Sequence, residues 1–105
     1  MVDDTGEDKL VFSNSYQQKQ YGRRIARIEQ KRLLAIEKAE AERDLQLAEV
    51  DRICDENPDA LRHVGIWKVE SDHKFKIGHI EKEAEQRRKQ AQDFFERAIE
   101  FDRDR

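Results

Sequence analysis

The sequence predicts a mainly α chain, a long antiparallel helical hairpin of coiled-coil-like character with a small β-hairpin or irregular tip at 66–77. Three observations predict this. Apolar residues recur at helical spacing along two long segments. Charged residues make up 43% of the chain against 36% hydrophobic, a balance suited to solvent-washed helices and a thin seam, not to a thick core. Breakers are scarce, with Pro58 the single proline among four glycines. Residues 1–14 are expected to form a flexible acidic leader and residues 15–105 a single helical domain.

Within the leader, Asp3, Asp4, Glu7 and Asp8 surround a short apolar island, Leu10-Val11-Phe12, which is expected to dock within the same protein. Ser15 followed by Gln18 has the form of a capping box, so the first helix is predicted over about 15–55. From Tyr21 onward an 11-residue period appears. Tyr21, Arg32, Arg43 and Cys54 share one phase, Ile25, Ile36 and Leu47 a second, and Ile28, Ala39 and Val50 a third. Together they form one stripe that requires burial, and the period of about 3.67 residues per turn predicts a straight or slightly right-handed pairing.

Asn57-Pro58 ends this helix, because the residue before proline is pushed out of the helical region. Asp51, Asp55 and Glu56 then stand at the negative end of the helix dipole and call for a basic neighbour. A short helix is predicted over about 58–64, closing near Gly65. Ile66, Trp67, Val69, Phe75 and Ile77 make no single helical stripe, but they sort well as a hairpin looped at Ser71-Asp72-His73. The second long helix is predicted over about 78–102, with a heptad seam of Ile77, Ile80, Ala84, Arg87, Ala91, Phe94, Ala98 and Phe101. On that seam Phe94 and Phe101 pack internally, while Phe95 and Ile99 lie off its centre and are expected to contact a partner.

Charge is laid out in blocks. Residues 19–32 hold six basic side chains against Glu29 alone, and residues 37–56 hold eight acids against Lys38, Arg43 and Arg52. Antiparallel packing brings each block to its opposite: the acidic end of the first helix to Lys68, Lys74, Lys76 and Lys82, its basic start to Asp93, Glu96, Glu100 and Asp102. A first helix of roughly 60 Å beside a second of roughly 37 Å leaves an overhang. Tyr21, Ile25 and Ile28 would then be exposed and would bind a partner, most simply a second copy. If 58–77 is helical instead, the arms match and no overhang remains. A further stripe, Leu34, Ala41, Leu45 and Ala48, lies opposite the 11-residue stripe and suits packing between subunits.

Chemistry-bearing motifs are absent. There is no Gly-rich phosphate loop, nucleophile elbow or Cys–His pair at a known spacing, so no catalytic residue and no cofactor is expected. Cys54, His63, His73 and His79 lack the spacing of metal ligands, and no metal is expected. Arg32, Arg43 and Arg87 stand at seam positions, their stems packing while the guanidinium groups reach water or acids. No apolar run approaches the ~20 residues that span a bilayer, the N-terminus is acidic, and Cys54 stands alone, so the expected setting is the cytoplasm.

The predicted function is a non-enzymatic protein–protein interaction module (an adaptor, inhibitor or assembly factor) acting as a helical homodimer or oligomer. The alternative is a small nucleic-acid-binding regulator using Arg23, Arg24, Arg27, Lys31 and Arg32 at the start of the first helix. The net charge of −3 and the neighbouring acidic block weigh against it.

Overall fold

The computed structural model describes residues 10–104. Two α-helices, α1 Ser15–Glu56 and α2 Arg62–Arg103, each of 42 residues, pack as a helical hairpin, and no strand occurs among the described residues. Neither described helix is long and apolar enough to cross a membrane. The chain divides into two compact units. Among the described residues, one combines residues up to 31 with those from 83 onward; the other is residues 32–82. The acidic residues of the expected leader, Asp3, Asp4, Glu7 and Asp8, lie outside the described residues.

Capping of α1 begins one residue earlier than the Ser15–Gln18 pair predicted. The Asn14 side-chain oxygen accepts from the Gln17 backbone N–H at 2.8 Å, and the Ser13 N–H donates to Gln17 Oε1 at 3.0 Å. Asn14 therefore satisfies one of the orphan donors at the helix start. The helix ends at Glu56, as Pro58 requires. Asn57 then organises a turn, accepting from the N–H of Asp59 with its side chain and from that of Ala60 with its carbonyl.

The expected short helix at 58–64 and the tip at 66–77 are both corrected. Residues 57–61 are turn and loop, and α2 runs unbroken from Arg62 through Gly65 and on through 66–77. Gly65 is not a stop. A Cβ there would stand 2.9 Å from Val50 Cγ1 and 3.2 Å from Cγ2, so its bare Cα is what allows α2 to approach α1. The apolar residues of 66–77 scatter because they serve two sides of one helix. Val69 and Ile77 are half-buried, whereas Trp67 and Phe75 point to solvent.

The seam of α2 is corrected as well. Val69, His73, Ile77, Ile80, Ala84, Arg88, Ala91, Phe95, Ile99 and Asp102 are its buried or half-buried line, and their spacing of 4, 4 and 3 repeats every 11 residues. Phe95 is 7% exposed and Phe94 57%; Ile99 is buried and Phe101 exposed. Arg87 is exposed and pairs with Glu83, while Arg88 occupies the seam. The same period runs along α1, where Tyr21, Ile25, Ile28, Arg32, Ile36, Ala39, Arg43, Leu47, Val50 and Cys54 are all buried or half-buried. A helix facing an 11-residue stripe must carry the same period to stay on it, which excludes the heptad.

In the unit formed by the chain's two ends, Tyr21, Ile28, Ala84, Ala91 and Phe95 form the core, with Leu10, Phe12 and Ile25 packed against it. The rings of Phe12, Tyr21 and Phe95 meet at centroid distances of 5.2–6.4 Å, two of the three pairs edge to face. The Leu10–Phe12 island thus docks on its own chain. Gln17 donates to Asp102 at 2.8 Å, and Arg88 approaches Glu29 at 3.5 Å, both across antiparallel segments.

Candidate protein-interaction surface

The unit of residues 32–82 is built differently. Ala39 is its one buried hydrophobic residue among those described, and its seam is lined by half-buried Arg32, Ile36, Arg43, Leu47, Val50, Val69, His73 and Ile77. Ion pairs brace it. Arg32 pairs with Glu81 and Lys76 with Glu42, both at 2.6 Å, and Arg62 bridges Asp51 and Asp55. Arg62 is the basic neighbour that the acidic end of α1 calls for. Of the lysines expected there, Lys76 takes the role; Lys68, Lys74 and Lys82 form no ion pair among the described residues.

These pairs shift ionisation in the direction their charges require. The hydrogen bond from Lys76, with its charge, holds the Glu42 carboxyl below the usual glutamate range, and Arg52 does the same to Glu49. The hydrogen bond to Asp55 holds the Arg62 guanidinium more firmly protonated. These pairs lie at the solvent-exposed surface, so they orient the helices more than they stabilise them.

Apolar material faces outward instead. Of thirteen exposed large hydrophobic side chains among the described residues, nine belong to residues 32–82, so this unit carries more large apolar groups outside than within. Five of the nine fall on two outer stripes. On α1, Leu34, Ala41, Leu45 and Ala48 are all exposed, Leu45 at 72%. On α2, Val64, Trp67, Ser71, Phe75 and Gly78 lie on the side turned away from the seam, with Trp67 70% and Phe75 81% exposed.

The partner-binding residues predicted from sequence stand elsewhere. Tyr21, Ile28, Phe95 and Ile99 are buried and Ile25 is half-buried, all within the other unit. Their expected exposure is corrected: α2 is as long as α1, so no overhang bares Tyr21, Ile25 and Ile28, and the 11-residue seam turns Phe95 and Ile99 inward. Of the basic set, Arg24 lies over the Phe94 ring at 5.5 Å and Arg32 is engaged by Glu81. Arg23, Arg27 and Lys31 are exposed, each four residues from the next.

Sequence reasoning missed Trp67 and Phe75 as surface groups. The available signal was spacing: Val64, Ser71, Phe75 and Gly78 repeat the 7, 4, 3 intervals of Leu34, Ala41, Leu45 and Ala48. A shallow polar cleft of about 250 Å³ lies on the seam, lined in part by Arg43, Gln46, Asp72 and His73. No group of three or more metal-binding side chains gathers among the described residues. Compared with family models, with curated proteins and with solved structures, the chain matches none.

Proposed function

We propose that this chain is a non-enzymatic protein-interaction module, acting as an adaptor, inhibitor or assembly factor, that self-associates through the outer surface of residues 32–82. One observation carries the reading. Trp67, Phe75 and Leu45 spend large apolar side chains on solvent while the interior of the same unit buries only Ala39. Contiguous exposed apolar groups rimmed by charge mark contact surfaces, and aromatic anchors dominate the energy of such contacts. A half-buried lone Cys54 and a charge-rich exterior suit a reducing, cytoplasmic setting.

Sedimentation equilibrium over a broad concentration range tests the reading. The expected result is a mass that rises above one chain with concentration. A single-chain mass at every concentration defeats self-association.

A second reading, binding to duplex nucleic acid, rests on the exposed row Arg23, Arg27 and Lys31. It predicts binding of labelled duplex that weakens steeply with salt and is lost when Arg23, Arg27 and Lys31 are changed to Glu. No binding at low salt removes it.

A further inference from the structure

We infer that the outer face of α2 in residues 32–82 docks on the outer face of α1 in a second copy, so that self-association is head-to-tail. This rests on the proposed self-association and names the two surfaces that meet.

The two faces are complementary in charge. At 100° per residue, the sector about 120° wide around Ser71 holds, within residues 62–82 of α2, Val64, Trp67, Phe75 and Gly78 with Lys68, Lys74 and Lys82, and no acid. The α1 stripe of Leu34, Ala41, Leu45 and Ala48 is flanked by Glu37, Asp44 and Glu49 against Lys38 and, one turn beyond Ala48, Arg52; Arg43 pairs with Asp44 and Arg52 with Glu49 within the chain. Two α2 faces would set lysine against lysine, which opposes a symmetric contact through that face, whereas the α1 face offers carboxylates to those lysines. Unlike faces attract.

They also match in length and relief. Each stripe extends over 14 residue steps, roughly 21 Å. Within this unit the Glu42–Lys76 and Arg32–Glu81 pairs and the Gly65 approach to Val50 fix the height of α2 against α1. Phe75 consequently stands level with Ala41, Ser71 with Leu45, and Trp67 with Ala48. Copies stacked side by side at equal height place a large side chain against a small one at these three levels, the condition for helices to approach closely. The same stacking brings Lys68, Lys74 and Lys82 within about one helical turn of Glu49, Asp44 and Glu37. Because the two faces lie on opposite sides of the unit, the contact leaves one of each free, and assembly continues past the dimer.

Complementation between face-specific variants tests this. Trp67→Asp disables the α2 face and Leu45→Asp the α1 face; Phe75→Asp serves as a second α2 variant, and far-UV circular dichroism confirms that each stays helical. In sedimentation velocity the wild type exceeds a dimer with rising concentration, and each variant alone associates at least about 30-fold more weakly. An equimolar mixture of Trp67→Asp and Leu45→Asp forms a 1:1 dimer and stops there, because Trp67→Asp retains a working α1 face and Leu45→Asp a working α2 face. A mixture no larger than its separate components overturns the head-to-tail pairing. Undiminished association of both variants overturns these faces while leaving self-association standing. A wild type that stays one chain overturns both.

Discussion

Adjacent phenylalanines on α2 offer a sharp test of the 11-residue seam. Phe95 is 7% exposed, with Phe12, Tyr21 and Phe94 rings within 5.2–6.4 Å. Truncating it forfeits the transfer energy of a buried aromatic, about 1.5–3 kcal/mol. It also leaves a hole walled by two rigid rings that cannot collapse, so the total is about 3–4 kcal/mol, within the range for buried Phe→Ala. Phe94 is 57% exposed and contributes an edge contact and the Arg24 cation–π interaction, so Phe94→Ala should cost less than about 1 kcal/mol. Urea titrations followed by far-UV circular dichroism, at protein concentrations below association, report both values through the shift in midpoint. For a small chain of ordinary stability, Phe95→Ala removes a large part of the total. A loss from Phe94→Ala equal to or above that from Phe95→Ala would refute the seam and restore the heptad.

Three further outcomes follow from local geometry. Gly22 is helical and open, so Gly22→Ala should stabilise by about 1 kcal/mol, whereas Gly65→Ala should destabilise because its Cβ meets stiff Val50; thermal or urea unfolding separates the two signs. His73 holds a buried Nδ1 without a partner on the seam, so His73→Leu should raise stability by about 1 kcal/mol in the same assay. Glu42 is held below the usual glutamate range by Lys76, so that contribution is present at neutral pH and is lost as pH falls through the lowered value. Glu42→Gln should therefore show a smaller loss of stability than wild type between about pH 6 and 3, and an unchanged slope would dismiss the pair as a stabilising element.

Much of the fold was legible because α1 repeats its seam three times without ambiguity, from Tyr21 to Cys54, and because Pro58 ends a helix wherever it falls. The second seam was harder. Ile77, Ile80 and Ala84 satisfy a heptad and an 11-residue period equally, and the two first diverge at Arg87–Arg88 and Phe94–Phe95, where neighbouring residues of one type fill either register, before parting again at Ala98–Ile99 and Phe101–Asp102. Only the facing helix decides between them. Gly65 carried the opposite meaning from its usual one, since a close approach and a helix stop leave the same letter in the sequence. At 66–77, apolar residues divided between seam and solvent erased the periodicity that normally announces a helix. The surface chosen from sequence depended on an overhang that equal helices abolish, whereas Leu34, Ala41, Leu45 and Ala48 were visible because they lie opposite an unmistakable stripe.

Trp67 is the chain's single tryptophan, so its fluorescence reports directly on the outer face of α2. Emission and iodide quenching should be followed across a dilution series alongside the sedimentation mass. The account predicts a solvated, readily quenched indole in the single chain that shifts to shorter wavelength and becomes shielded as the mass rises. An indole already shielded at the lowest concentration, or one still fully quenched in the assembled state, would contradict it.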